Sequence, residues 1–197
     1  MSEQGQPPYA PLKLAFILLP KYSMIAFSSL IEPIRLANRE SGAELFEWSC
    51  YSLNGEAVEA SNHVVTQVDG AVRDLGDASL TLVCSGLDIE QIAPGPELGK
   101  RLRYLVAHGR TIGAVCTGAY VLAKYGLLDG FRCTIHWENI PSFREEFPAI
   151  DVTSDIYEID RTRGTCAGGT AALDMMLRFI AEQGGVALAR KVAEVSL

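Results

Sequence analysis

The residues best suited to chemistry lie in Gly113-Ala114-Val115-Cys116-Thr117-Gly118-Ala119, where a buried apolar run turns directly into a helical pattern. Ala114 and Gly118 stand two positions either side of Cys116, the small-x-nucleophile-x-small spacing of a nucleophile elbow. Such a turn strains the backbone at its central residue, and small flanks let strand and helix approach closely. The start of the following helix would favour thiolate over thiol at Cys116. The plainer alternative makes Cys116 a small apolar residue in a tight turn, with Gly118 serving packing alone. His136, in Thr134-Ile135-His136-Trp137, could activate that thiol only if the fold brought the two together. Otherwise it is a hydrogen-bonded histidine at a strand end. Thr165-Cys166-Ala167-Gly168-Gly169-Thr170 is a second small-residue junction. A glycine-rich helix start can hold an anion, but close packing is the simpler role. His63 and His108 sit in polar surroundings and read as surface residues, so three scattered histidines make no metal site.

These junctions need strands and helices to hold them. Residues 12–19 form an apolar run closed by Pro20, the pattern of a fully buried strand. After Ser23 as N-cap, Met24, Phe27, Leu30, Ile31, Ile34 and Ala37 recur at three- and four-residue steps, an amphipathic helix kinked or restarted around Pro33. Residues 46–53 alternate like a strand, Asn54-Gly55 is a hairpin-turn signal, and 64–68 make a short strand. Buried strands follow at 80–84 and 111–115, with helices at 97–108 and 117–125 stopped by Gly109 and Gly126. Further strands are predicted at 131–137 and 156–159, and helices at 170–182 and 186–197. This rhythm predicts an α/β fold: a three-layer α/β/α sandwich around a mainly parallel, flavodoxin-like sheet. Residues 1–11 read as a flexible tail and 12–197 as a single domain. The last helical pattern stops without Gly, Pro or a basic final turn, so the chain is expected to be cut from a longer protein.

Composition removes several functions. Seventeen basic against 24 acidic residues give a net charge of −7, which argues against this segment gripping a phosphate backbone. The cluster Lys100, Arg101, Arg103 and Arg110 accordingly reads as a solvated helix face. Five scattered cysteines without a CxxC pair indicate reduced thiols and a cytoplasmic location, with no disulfide framework or zinc site. The longest apolar run, 14–19, is far short of the roughly 20 residues that a bilayer span requires. The polar start over residues 1–11, with Pro7, Pro8 and Pro11 and no basic residue, is no signal peptide.

Taken together, Val115-Cys116-Thr117-Gly118-Ala119, Gly126-Leu127-Leu128-Asp129-Gly130 and Thr134-Ile135-His136-Trp137 resemble the PfpI-like branch of the class I glutamine amidotransferase-like superfamily. Two more blocks, from Ile31-Glu32-Pro33-Ile34 to Arg39 and from Thr165-Cys166-Ala167-Gly168-Gly169-Thr170 to Leu177, resemble effector domains of AraC-type transcriptional regulators. The resemblance covers residues 12–197 and implies a helix-turn-helix domain following this segment, which alone would contact DNA. It also exposes gaps. Enzymes of the superfamily carry an acid on the first strand-to-helix segment, a position that falls near Ala26 here. Thr117 stands where protease-like members have His, Ser85-Gly86 replaces a Gly-Gly, and the amidotransferase His–Glu pair has no counterpart.

A non-catalytic, ligand-sensing role follows. Ligands bind outside the carboxyl ends of strands in open α/β sheets. The segments there contain Phe27, Ser28, Ser85, Gly86, Leu87, Cys116, Thr117, His136 and Trp137, which are expected to line one pocket. Trp137 and Phe27 would offer cation–π contacts, and Glu32 could pair with an ammonium or guanidinium. The resemblance implies an effector such as arginine, glycine betaine or carnitine and a homodimer; no cofactor or metal is expected. The alternative is a small cysteine-dependent enzyme (hydratase, hydrolase or glyoxalase-like) using Cys116.

Overall fold

A computed structural model describes residues 10–196. Most of the expected tail at 1–11, and the final residue of the expected last helix, lie outside the described residues. In chain order the elements are β1 (Leu12–Leu18), α1 (Met24–Ser41), β2 (Phe46–Ser52), β3 (Val58–Glu59), β4 (Val65–Thr66), β5 (Gly70–Ala71), β6 (Leu80–Cys84), α2 (Gly95–Ala107), β7 (Thr111–Val115) and α3 (Gly118–Lys124). The second half adds β8 (Arg132–Cys133), α4 (Ile140–Glu146), β9 (Asp151–Val152), β10 (Tyr157–Asp160), β11 (Arg163–Cys166), α5 (Ala171–Gly184) and α6 (Val186–Val195).

Seven strands form one sheet in the order β10-β11-β7-β6-β1-β2-β5. Every pairing in it is parallel except β10 with β11. The alternation of side chains along a strand splits β1 between two cores. Leu14, Phe16 and Leu18 pack with Leu30 and Ile34 of α1, Met175, Met176 and Ile180 of α5, and Val192 of α6. Ala15, Ile17 and Leu19 face the other way, against Leu98, Leu102 and Leu105 of α2 and Val121 and Leu122 of α3. The predicted three-layer α/β sandwich is therefore the fold.

Several local expectations change. Helix α1 runs unbroken through Pro33 instead of restarting there. A mid-helix proline costs about 3 kcal/mol, whereas burying Phe27, Leu30, Ile34 and Ala37 together returns more, at about 1.5–3 kcal/mol per large side chain. Asn54-Gly55 does not close a hairpin on β2, whose partners β1 and β5 are both parallel. The Ser52 hydroxyl instead organises that loop, accepting from Gly55 N–H at 2.9 Å and donating to the Glu56 carbonyl at 2.7 Å. The strand expected at 64–68 shrinks to β4, which pairs only with β3. The strand expected at 131–137 shrinks to β8, paired with β9, and a 3-10 turn begins at Trp137. Side-chain and loop acceptors take the backbone there: Thr134 N–H donates to Thr165 Oγ1 at 2.8 Å and His136 N–H to the Cys116 carbonyl at 3.2 Å.

The basic cluster is engaged by its own chain. Arg101 donates to the Leu75 carbonyl, Arg103 to that of Tyr125, and Arg110 pairs with Asp77. At the sheet edge, Asp160 accepts from Arg161 and from Arg132 N–H, which hold its carboxyl at about 2. Because the folded value is depressed, this contribution is complete above the unfolded value of 3.8 and fades as the pH falls towards 2. Asp160→Asn should therefore flatten the acid limb of a denaturation-versus-pH curve between those values; an unchanged limb would remove Asp160 from the account.

Candidate functional site

The junction of β7 and α3 has the geometry of an elbow. Cys116 sits at φ +58°, a left-handed conformation that costs a non-glycine residue energy. Its N–H donates to the Cys166 carbonyl at 3.0 Å, and its own carbonyl accepts from His136, so β11 and the 134–136 segment clamp the turn. Gly168 packs directly on it: a Cβ there would lie 2.9 Å from that of Cys116. The second glycine-rich junction thus serves as a close-packing surface for the elbow.

The loops around the elbow are laced together by main-chain bonds. Leu87 N–H donates to the Lys21 carbonyl at 3.1 Å and Ser23 N–H to that of Ser85 at 3.2 Å. A side chain at position 86 would come within 2.3 Å of the Lys21 carbonyl oxygen, which is why a glycine stands there. The Thr117 hydroxyl donates to the Gly86 carbonyl at 2.7 Å and lies 3.1 Å from Ser85 Oγ. The residue that replaces the protease-like histidine therefore ties the elbow to the loop after β6.

The expectation of a thiolate at Cys116 is not met. Burial raises the thiol above its usual range; the Thr117 N–H pulls it down less than burial pushes it up, and the negative charge of Glu138 raises it further. The 7-residue helix α3 does not outweigh desolvation. Among the described residues no side chain hydrogen-bonds the thiol. The His136 ring turns to Glu138 instead, with Nδ1 3.7 Å from Oε2. Ala26, near which the resemblance placed the acid of catalytic members, is fully buried in the core.

A cleft of about 370 Å³ opens over the elbow. Gly86, Cys116 and Thr117 lie along it, with Leu87, Asp88 and Glu90 from the loop after β6. His136, Glu138 and Asn139 contribute from the segment after β8, and Ser23 and Ser61 from the loops beside α1 and β3. Five expected residues, Gly86, Leu87, Cys116, Thr117 and His136, are thus brought together. Four are not among the lining residues. Phe27 is a core residue, its ring edge-on to Phe16 at 5.8 Å and Tyr22 at 5.6 Å. Ser85 is fully buried, and Ser28 is half-buried on α1. Trp137 is 69% exposed outside the cleft. Glu32 is paired with Arg35 at 2.6 Å on the surface. The sequence reading missed the acidic side chains Asp88, Glu90 and Glu138; their only signal was proximity to Gly86 and His136 in the chain. Nothing in the sequence pointed to Ser61.

The combination of this elbow with this sheet has relatives. The sequence model of the DJ-1/PfpI family matches residues 13–182. The chain belongs to the DJ-1/PfpI family. Within it, the sequence is 44% identical over 179 residues to the HTH-type transcriptional regulator CdhR of Pseudomonas aeruginosa, covering 91% of this chain and 53% of that one. It is 36% identical over 193 residues to the HTH-type transcriptional regulator GbdR of the same species, covering 97% and 52%. A crystal structure of an AraC family transcriptional regulator from Pseudomonas putida superposes with a TM-score of 0.87 at 29% identity, covering 95% of this chain and 100% of that chain. The chain spans about half the length of the curated relatives it matches. No helix among the described residues is long and apolar enough to cross a membrane.

Proposed function

We propose that this DJ-1/PfpI domain is a non-catalytic, ligand-sensing regulatory domain of an AraC-type DNA-binding transcriptional regulator. It works in the cytoplasm as a homodimer, and its effector is a small amino-acid-like or quaternary-amine metabolite held in the cleft over Cys116. DNA contact belongs to a helix-turn-helix domain that follows residue 197. Effector binding shifts the arrangement of the sensor domains and so the way the attached domains meet DNA. The observation that carries this reading is the elbow thiol: buried, raised in pKa, and without a hydrogen-bonded base among the described residues. A nucleophile needs the opposite setting.

Iodoacetamide labelling followed by mass spectrometry tests it. Cys116 is expected to alkylate about tenfold or more slowly than free cysteine at pH 7, because both thiolate fraction and access are reduced. Cys116→Ala should keep any effector-induced rise in melting temperature. Rapid labelling of Cys116, joined to a turnover lost in Cys116→Ala, would instead establish the cysteine enzyme.

A further inference from the structure

One rim of the cleft is closed by a pair of strained residues. Lys21, in the loop after β1, has φ +59°, and Asp88, in the loop after β6, has φ +58°. A residue other than glycine keeps such a left-handed backbone only where its surroundings impose it, aspartate more readily than lysine. The two side chains meet across the rim, with Lys21 Nζ 2.5 Å from Asp88 Oδ2. The lysine side is fixed on its own account: Lys21 N–H donates to the Glu59 carbonyl at 2.9 Å, and Tyr22 is fully buried. The aspartate side is a short strap. Leu87 and Asp88, both lining the cleft, hang between Gly86, whose carbonyl accepts from Thr117, and Ile89, which is buried in the core. Leu87 is 58% exposed, so packing does not hold the strap down. Among the described residues, what joins these two residues to the lysine loop is the ion pair and one main-chain bond, from Leu87 N–H to the Lys21 carbonyl at 3.1 Å.

We propose that Lys21 and Asp88 form a latch on the cleft that responds to ionic strength. When the pair parts, the strap relaxes out of its left-handed turn and Leu87 N–H leaves the Lys21 carbonyl. The cleft then opens at that rim, over the Cys116 side chain, which is 8% exposed while the latch is shut. Both partners are solvent-accessible, so their attraction is modest and screened by salt. A latch needs that weakness. A strong buried pair would hold the rim shut under all conditions, and with no pair the strain at Asp88 would stand unopposed. The latch depends on nothing that the cleft binds.

Hydrogen exchange at the Leu87 amide, taken relative to the intrinsic rate of each sequence, reads the latch directly, and iodoacetamide labelling of Cys116 reads the opening. Raising the salt from about 20 mM to about 0.5 M should lower Leu87 protection about two- to fivefold, the range expected for an exposed pair. Asp88→Asn keeps a side chain that tolerates the left-handed turn and removes only the charge. It should show that lower protection already at low salt, lose the salt response, and label at Cys116 faster by the same factor. Exchanging the charges, Lys21→Glu with Asp88→Lys, should restore both the protection and its salt dependence. Unchanged Leu87 protection in Asp88→Asn, or an equal salt response in both chains, overturns the latch. Faster labelling of Cys116 with Leu87 protection intact also overturns it, because loss of a nearby negative charge then accounts for the thiol.

Discussion

Gly113→Ala is expected to destabilise the domain by about 3 kcal/mol, the upper end of the usual cost of overpacking a core. A Cβ at position 113 would lie 2.1 Å from the Gly164 carbonyl oxygen and 2.7 Å from Leu82 Cδ2. The first of those atoms is backbone in the middle of the sheet, so it cannot move aside as a side chain can. For a domain of this size the loss corresponds to a fall in melting temperature of roughly 6–12 °C. Its register partner supplies the control, because Gly164 pairs directly with Gly113 across β7 and β11. A Cβ on Gly164 meets only Met175 Sδ, at an ordinary 3.8 Å. Gly164→Ala should therefore be neutral, or gain up to about 1 kcal/mol from reduced freedom of the unfolded chain. Equal melting temperatures for the two variants would refute the close approach of β7 to β11.

Effector binding should produce a rise of similar size in the opposite direction. A ligand at 100 times its dissociation constant adds about 2.7 kcal/mol to stability, which at this length means roughly 5–10 °C in melting temperature. Thermal unfolding against arginine, ornithine, glycine betaine, carnitine, choline and neutral amino acids reads this directly. Selective stabilisation by amine cations is the expected result, and the neutral amino acids should leave the transition where it is. Cys116→Ala should respond as fully as the parent chain, since the thiol is not asked to react. Equal shifts across the whole panel would point to a general solute effect and count against a sensor.

The two kinds of junction at the elbow show how much was readable in advance. Ala114, Cys116 and Gly118 announced a strand turning sharply into a helix, and the left-handed backbone at Cys116 follows from that spacing. The apolar runs of β1, β6 and β7 likewise announced a buried parallel sheet, because a strand covered on both faces needs no polar alternation. Short elements were the failures. The two-residue strands β3, β5, β8 and β9, and the two-turn helix α4, are too brief to carry a period. The 131–137 segment looked like a strand by composition, yet Thr165 and Cys116 from distant parts of the chain claim its hydrogen bonds.

Local pattern was enough to specify the sheet, its covering helices and the elbow, since each is written in neighbouring residues or in residue type. The ionisation of Cys116 and the character of the cleft were decided only by tertiary structure. A helix start argues for thiolate, but burial among four converging segments outweighs it, and burial is a sum over residues remote in sequence. In the same way Phe27 and Trp137 read as cleft aromatics until packing turned one into the core and left the other in solvent. The carboxylates of Glu90 and Glu138 took their place because two loops, nearly 50 residues apart in the chain, meet over the ends of adjacent strands.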